Sequence, residues 1–241
     1  MNGFEYHCRW ILTATVALFV VVVSGCQLAA DGQNVKGVQF FQSGNYPAAV
    51  EQFQQATRTN PQNSDAIYNL ACVQHRIGMD KNDETALKQA EQLYRRCLQL
   101  NAEHVDCHRG FAVLLTQTNR QAEAFNLLKN WAIRSPESSE ARVELARLYD
   151  ELGEDAEAER NLVSALRLDR NNARAWLALG YRKEQEGNMA LARSNYQRSY
   201  QLNRRQPQVA QRIAAISQRL STSLTPGETR DVGDGSDTRL R

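Results

Sequence analysis

A period of 34 residues constrains the fold of this chain more than any other feature of its sequence. Counted from Ala30, five repeats span residues 30–63, 64–104, 105–138, 139–172 and 173–206, and the second is seven residues longer than the others. Two columns hold only glycine or alanine: the eighth has Gly37, Ala71, Ala112, Ala146 and Gly180, and the twentieth has Ala49, Ala90, Ala124, Ala158 and Ala192. Side chains this small allow two helices to pack with their backbones close together. We therefore predict one helical hairpin per repeat, with neighbouring repeats stacked on a shared core.

Two further columns have a physical role in such a hairpin. The twenty-fourth column holds a large apolar or aromatic residue, and the turn column holds a residue that tolerates a positive φ. These residues are Phe53, Tyr94, Leu128, Leu162 and Tyr196 in the twenty-fourth column, and Gly44, Gly78, Asn119, Gly153 and Gly187 in the turn column. Together the four columns resemble the tetratricopeptide repeat (TPR). The resemblance implies an all-α fold, a right-handed superhelical solenoid of five repeats, and a function in protein–protein interaction.

Both ends of the repeat array depart from the pattern. The first repeat has Gln33 and Lys36 where its first helix should be apolar, so we expect this helix to be short or frayed. Residues 207–220 begin with Pro207 and place apolar residues at helical spacing, which predicts a C-terminal capping helix. Residues 221–241 are rich in Ser, Thr, Gly and charged residues, and we predict that this tail is disordered.

The extra residues of the second repeat lie near residues 79–85. Their sequence, Met-Asp-Lys-Asn-Asp-Glu-Thr, is polar and predicts either a loop at one edge of the solenoid or an extended helix start. Asn82 or Asp83 is able to cap the helix that follows.

Residues 1–25 have the features of a secretory signal peptide and are set apart from the fold. The apolar run over residues 11–23 is shorter than the ~20 residues that a membrane-spanning helix needs. Residues 23–26, Val-Ser-Gly-Cys, resemble a bacterial lipobox, in which two small residues precede a cysteine that becomes acylated. The resemblance implies a lipid anchor on Cys26 and a short tether over residues 26–29. An uncleaved anchor or a chance cysteine after an apolar run is the alternative.

In TPR proteins the first helices of the repeats line a groove that binds a partner segment. The resemblance therefore implies that the residues of this chain in the same columns line such a groove. The candidate groove residues are Asn34, Val38, Phe41, Tyr68, Asn69, Cys72, His75, Arg76, Arg109, Val113, Arg147 and Tyr181. We expect apolar anchors near Phe41 and Tyr68 and hydrogen bonds to Asn69 and Arg109. The alternative is that several of these are ordinary solvated helix residues.

Cys97, His104, Cys107 and His108 lie within twelve residues where the second and third repeats meet. A metal site is one interpretation, although the spacing matches no familiar zinc motif. A Cys97–Cys107 disulfide in an oxidising compartment is another. We favour structural roles, because Cys97 falls in a column that normally holds a small buried residue and His108 falls in a bulky core column.

Catalysis finds no support in the sequence. No paired carboxylates, glycine-rich phosphate loop or activated nucleophile stands outside the repeat pattern, so we predict neither an enzyme nor a cofactor. The formal net charge is +2, and the basic residues are interleaved with acidic ones, which argues against an electrostatic nucleic-acid binder.

A lipobox followed by TPRs resembles two groups of bacterial envelope lipoproteins. One group contains pilus-assembly lipoproteins, such as TadD of the tight-adherence pilus, and the pilotins that help a secretin ring assemble. The other is the repeat lipoprotein of the outer-membrane barrel-assembly machine. The regular 34-residue repeats favour the first group, which implies a scaffold that binds a secretin or another pilus or secretion-system subunit. A periplasmic chaperone, or holdase, for exported polypeptides is the alternative of another class.

The resemblance to these lipoproteins also implies a location in the bacterial cell envelope. The chain would be lipid-anchored through Cys26 and would face the periplasm. Gln27 follows the cysteine, and the absence of an aspartate there favours the outer membrane over the inner membrane.

Overall fold

The computed structural model describes residues 29–223, which form eleven α-helices and no strand. The predicted all-α class is therefore confirmed. Helix α1 covers residues 29–42. The others are α2 (Tyr46–Thr59), α3 (Ser64–Lys81), α4 (Glu84–Leu100), α5 (Val105–Gln117), α6 (Gln121–Arg134), α7 (Ser139–Glu151), α8 (Asp155–Leu168), α9 (Ala173–Gln185), α10 (Met189–Leu202) and α11 (Pro207–Ser223).

The described residues divide into two compact units. The first unit ends at Leu145 and the second begins at Ala146, so the boundary falls inside α7. In both units short turns join consecutive helices into hairpins, as the 34-residue period predicts.

The small-residue columns lie in the interior of these hairpins. All ten glycine and alanine residues of the eighth and twentieth columns are buried, and the five large residues of the twenty-fourth column are at most 1% exposed. A Cβ atom added to Gly37 would lie 2.5 Å from Cε1 of Phe53, and one added to Gly180 would collide with the ring of Tyr196. The absence of a side chain at the eighth column therefore makes room for the ring of the twenty-fourth.

Local hydrogen bonds position the loop that connects one repeat to the next. In the last such loop between repeats, the Asp169 carboxylate accepts from the amide of Asn171 at 2.9 Å. The Asn172 side chain then accepts from the amides of Arg174 and Ala175, which caps the N-terminus of α9. Asn60 with Asn63 and Asn101 with His104 do the same in the first unit.

Of the two interpretations of the extra residues of the second repeat, the extended helix start is confirmed and the loop is wrong, and the turn residue was also assigned wrongly. They form no added loop, because α3 has 18 residues where α5 has 13, and α4 has 17 where α6 has 14. Gly78 is not the turn residue but lies buried inside α3, and Asn82 takes the left-handed conformation instead, at φ 51°. Asp83 caps α4 by accepting from the amides of Thr85 and Ala86. The insertion therefore lengthens both helices of one hairpin.

Two expectations about the ends of the array also need correction. Helix α1 is not short, since it covers residues 29–42, and its polar Gln33 accepts from the hydroxyl of Thr59 at 3.1 Å. Helix α11 continues to Ser223, three residues into the tail that we predicted to be disordered. The rest of that tail lies outside the described residues.

Candidate functional site

The first helices of the first unit bring most of the predicted groove residues together. We call the side chains of α1, α3 and α5 at these columns the first-helix face. Its members are Asn34, Val38, Phe41, Tyr68, Asn69, Cys72, His75, Arg76, Arg109 and Val113. All are partly buried except Arg76, which is exposed and pairs with Asp80 one turn later at 2.9 Å. Partly buried side chains can contact both their neighbours and a ligand.

A hydrogen bond between α1 and α3 forms the first part of this face. The side-chain amide of Asn69 donates to the side-chain oxygen of Asn34 at 2.9 Å. Each asparagine keeps further donor or acceptor capacity for a bound backbone. Val38 and Phe41 instead pack against the core formed by Ala49 and Phe53, so they are less available as partner anchors than we predicted.

A cluster of aromatic and polar groups forms the middle of the face. The Tyr94 hydroxyl donates to Sγ of Cys72 at 3.6 Å and lies 3.4 Å from Nδ1 of His75. Nε2 of His75 lies 2.9 Å from the amide oxygen of Gln117, to which it donates in the matching tautomer. This network ties α3 to both α4 and α5 and holds the His75 ring in one orientation.

The groups of this cluster are neutral at ordinary pH. Burial raises the pKa of the Tyr94 hydroxyl and of the Tyr68 hydroxyl far above the usual range for a phenol. Burial likewise raises the pKa of the Cys72 thiol and lowers the pKa of His75. The middle of the face therefore offers uncharged donors and acceptors beside aromatic rings, which suits a peptide backbone better than a free charged group.

Arg109 lies on the same face and is already engaged. Its Nε donates to the Glu144 carboxylate at 2.7 Å, and its Nη1 donates to Asp106 at 2.9 Å. Glu144 is fully buried, whereas the Arg109 side chain is 34% exposed. Arg109 thus holds α5 to α7 within the first unit, and it is less free to bind a partner than we predicted.

The sequence pattern missed the parts that Tyr94 and Glu144 play here. Tyr94 occupies a core column in which other repeats have Phe, Leu or Tyr, so the column gave no sign that its hydroxyl would reach this face. Glu144 is an acidic residue at a position where neighbouring columns are apolar, and that departure was the available signal.

The two predicted groove residues of the second unit lie in different surroundings. Arg147 pairs with Glu151 one turn later on α7. The ring of Tyr181 is 39% exposed, and the guanidinium of Arg212 lies 4.8 Å from its centroid. Helix α11 therefore covers part of the surface that we assigned to partner binding at this end.

The cysteine and histidine cluster is built into the packing of α4 and α5. Cys72, Cys97 and Cys107 are free thiols, so the Cys97–Cys107 disulfide stays a prediction for the oxidised chain. Cys97 and Cys107 are fully buried, and the Cys107 thiol donates to the carbonyl of Tyr94 at 3.3 Å.

The histidines of this cluster have structural partners. His104 caps α5, because its Nδ1 accepts from the Cys107 amide at 3.2 Å, and its Nε2 donates to Asp65 at 2.9 Å. His108 is fully buried and stacks on Trp131 with ring centroids 4.0 Å apart. Over residues 29–223, no three or more His, Cys, Asp or Glu side chains are grouped so as to hold a metal ion.

Several predictions fall outside the part of the chain that the structure describes. These are the signal peptide over residues 1–25, the lipidation of Cys26 and most of the tether over residues 26–29. Among the helices between residues 29 and 223, none combines the length and the apolar character needed to span a bilayer.

Two family profiles match parts of the chain. One, described as TPR repeat, matches residues 37–78, and another, described as tetratricopeptide repeat, matches residues 121–180. A human relative, the protein O-mannosyl-transferase TMTC3, is 24% identical in an alignment of 208 residues that covers 82% of this chain. The chain spans only 23% of the length of that relative.

Solved structures of similar fold cover most of the chain. A thermophilic TPR protein from Thermus thermophilus is 21% identical, with a TM-score of 0.60 over 79% of this chain and 100% of that one. The pilF protein of Pseudomonas aeruginosa is 24% identical, with a TM-score of 0.51 over 85% of this chain and 95% of that one. At these identities the likeness concerns the fold. The chain therefore carries tetratricopeptide repeats in an all-α TPR solenoid, a fold whose general function is to bind other proteins.

Proposed function

We propose that the chain is a lipid-anchored scaffold of the bacterial cell envelope that holds a pilus or secretion-system subunit, such as a secretin. The lipobox-like residues 23–26 support the anchor, and the regular repeats support the resemblance to pilus-assembly lipoproteins. The likeness to pilF is compatible with this assignment, although by itself it concerns only the fold.

The first-helix face of the first unit is the observation that carries the binding function. Its hydrogen bonds, Asn69 to Asn34 and His75 to Gln117, fix the side chains before any partner arrives. A preorganised surface loses less conformational entropy on binding than a mobile one. Uncharged donors and acceptors beside the Tyr68 ring fit an extended segment or an amphipathic helix of a partner protein.

The anchor would place this face close to the bilayer. Only a few residues separate Cys26 from α1, whose described part begins at residue 29. We therefore propose that the face projects from the periplasmic side of the outer membrane, with α1 nearest the lipid.

Blocking the first-helix face should remove the partner. The double variant Asn69→Arg/Val113→Arg adds two long cationic side chains to partly buried positions of α3 and α5. In pull-downs from detergent extracts, quantified by mass spectrometry, we expect wild type to retain a pilus or secretion subunit and the variant to lose about 90% of it. A tenfold loss corresponds to ~1.4 kcal/mol, which a small part of a specific interface can supply.

A matched control has the same added charge on another surface. Gln92→Arg/Ile133→Arg changes exposed residues of α4 and α6, and it should bind as wild type does. Circular dichroism of both variants checks that the helices persist. Recovery of no pilus or secretion component would contradict the proposal. Recovery of many unrelated unfolded chains would indicate a holdase instead, and recovery of barrel-assembly subunits would indicate that machine.

The lipid anchor has a separate test. In cells labelled with a clickable palmitate analogue, we expect label on the wild-type chain and none on Cys26→Ser, because only a thiol forms the thioether to the lipid. Cys72→Ser is the matched control and should keep its label. Equal labelling of wild type and Cys26→Ser would contradict the proposed anchor on Cys26 but would not bear on the proposed binding face.

A further inference from the structure

The end of the second unit has an unusual charge composition. Residues 187–223, which comprise α10, the following loop and α11, contain six arginines and no Lys, Asp or Glu. Elsewhere in the unit Arg147, Arg160 and Arg182 each form an ion pair with a carboxylate. A run of this length without a carboxylate leaves most of its positive charge without a counterion from its own helices.

Two of these arginines are one heptad apart on α11. Arg212 and Arg219 are separated by seven residues, so about 10 Å along the helix axis. Arg212 lies over the Tyr181 ring, and its Nη1 donates to Glu184 at 2.7 Å. Burial opposes the ionisation of Glu184, but hydrogen bonds from Tyr196 and Arg212 and the positive charges of Arg212 and Arg219 lower its pKa. Residues seven apart lie on the same side of an α-helix.

The arginines of this end have little internal compensation. The Arg212 side chain is 42% exposed and uses only one of its donor nitrogens for Glu184. Within residues 29–223, Arg219 and the two loop arginines, Arg204 and Arg205, form no ion pair, and all three are exposed. Arg198 binds only the side-chain oxygen of Asn171, at 3.2 Å.

We propose that Arg212 and Arg219, with the loop arginines before α11, form a docking surface for an acidic segment of a partner protein. We call this surface the arginine row. Arginine presents a planar fork that pairs with a carboxylate through two hydrogen bonds, and the complete absence of lysine favours that geometry over simple charge attraction. Arg212 is already oriented by Tyr181 and Glu184, so its free donors point in a defined direction.

The spacing of the row defines the segment that fits it. In the polyproline II conformation a chain has three residues per turn and rises about 3.1 Å per residue, so carboxylates at every third residue lie on one side of the chain and about 9 Å apart. That distance matches one heptad of α11. The partner is therefore a segment in the polyproline II conformation with Asp or Glu at every third position.

An anionic membrane is a poorer match for this surface. Membrane-surface helices insert an apolar face between the lipids. The apolar face of α11 is already occupied, since Val209 and Ile216 are buried against Ala192 and Tyr196 of α10. Its exposed residues are Pro, Arg, Gln, Ala, Ser and Thr, with no large aliphatic or aromatic side chain among them.

The test uses the purified full chain and a fluorescent peptide of Gly and Ser with glutamate at every third position. A second peptide of the same composition has its glutamates together at one end. We expect the spaced peptide to bind more tightly, and Arg212→Glu/Arg219→Glu to weaken it about tenfold or more. Arg212→Lys/Arg219→Lys should weaken binding as well, because lysine lacks the fork.

Arg160→Glu/Arg167→Glu is the matched control. These two arginines are also seven residues apart, on α8 of the same unit, and the net charge changes by the same amount. An equal loss in both double variants would overturn the proposal in favour of general charge attraction. If the α11 variant loses helix by circular dichroism, the Arg→Lys pair decides the outcome, and unchanged binding there overturns the proposal.

Two competing ligands complete the experiment. Vesicles containing phosphatidylglycerol that bind more tightly than the peptide, and lose binding in the same variants, would overturn a protein partner in favour of a lipid surface. A chain ending at Ser223 lacks the acidic residues Glu228, Asp231, Asp234 and Asp237. Tighter peptide binding by this shorter chain would support the arginine row, because it would show that these acidic residues compete with the peptide for it. The measurement uses no envelope component, so it is independent of the proposed scaffold function.

Discussion

Replacing Trp131 by alanine is expected to lower the free energy of unfolding of the chain by about 3–5 kcal/mol. Trp131 is 1% exposed, and its ring stacks on His108 with an interplanar angle of 5°. Its indole N–H donates to Glu103 at 2.9 Å. Alanine would leave a cavity the size of the indole and would expose one face of a buried imidazole to that cavity.

Urea unfolding followed by circular dichroism measures this loss. Ile133→Ala on the same helix is the control, because Ile133 is 65% exposed and its removal should cost little. Trp131→Phe should fall between the two, since a ring persists opposite His108. If Trp131→Ala and Ile133→Ala cost the same, the packing of α6 against α5 described above is wrong.

Replacing Arg109 by methionine is expected to cost roughly 3 kcal/mol. Methionine keeps most of the aliphatic volume but removes the guanidinium that pairs with Glu144 at 2.7 Å. Glu144 is fully buried, so its carboxylate would keep its desolvation cost while losing this cation. The loss should therefore far exceed that of an exposed ion pair, which is typically below about 1 kcal/mol.

A double-mutant cycle separates this pairing from general disruption. In the Arg109→Met background, Glu144→Leu removes the buried carboxylate, and the double variant should recover much of the lost stability. Arg76→Met is the control, because the Arg76–Asp80 pair is exposed on both sides. Additive losses in the cycle would show that Arg109 and Glu144 do not depend on each other.

The regular part of the fold follows from short-range constraints. A hairpin of fixed length brings the eighth column close to the twenty-fourth, so Gly180 faces the Tyr196 ring as Gly37 faces the Phe53 ring. The turn glycines Gly44, Gly153 and Gly187 have positive φ, as does Asn119. These features depend on residues close together in sequence, and the repeat pattern therefore predicted them correctly.

The second repeat departs from this pattern because its two helices are longer than those of the next repeat. The turn moved from Gly78 to Asn82, a residue that also tolerates the left-handed conformation. Gly78 instead allows α3 to pack closely against α4, since a Cβ atom there would lie 2.6 Å from the Leu87 side chain. Helix length is set by how far two packed helices continue to bury each other, and column spacing alone contains no such information.

The candidate site was predictable only in outline. The repeat columns placed Asn34, Asn69 and His75 on one face, and the structure brings them together. They did not reveal that Tyr94 reaches Cys72 from the second helix, or that Tyr181 lies beneath Arg212. Such contacts depend on side-chain rotamers and on elements far apart in the chain.

The amino-acid sequence alone determined the all-α class, the period and the buried small-residue columns, because each repeat imposes the same local geometry on the backbone. Tertiary structure alone decided which polar groups are paired. Arg109 was a candidate ligand by column, yet the burial of Glu144 beside it makes it part of the framework. Whether a charged side chain is paired depends on which oppositely charged group lies near it in space. That group comes near only when the helices pack.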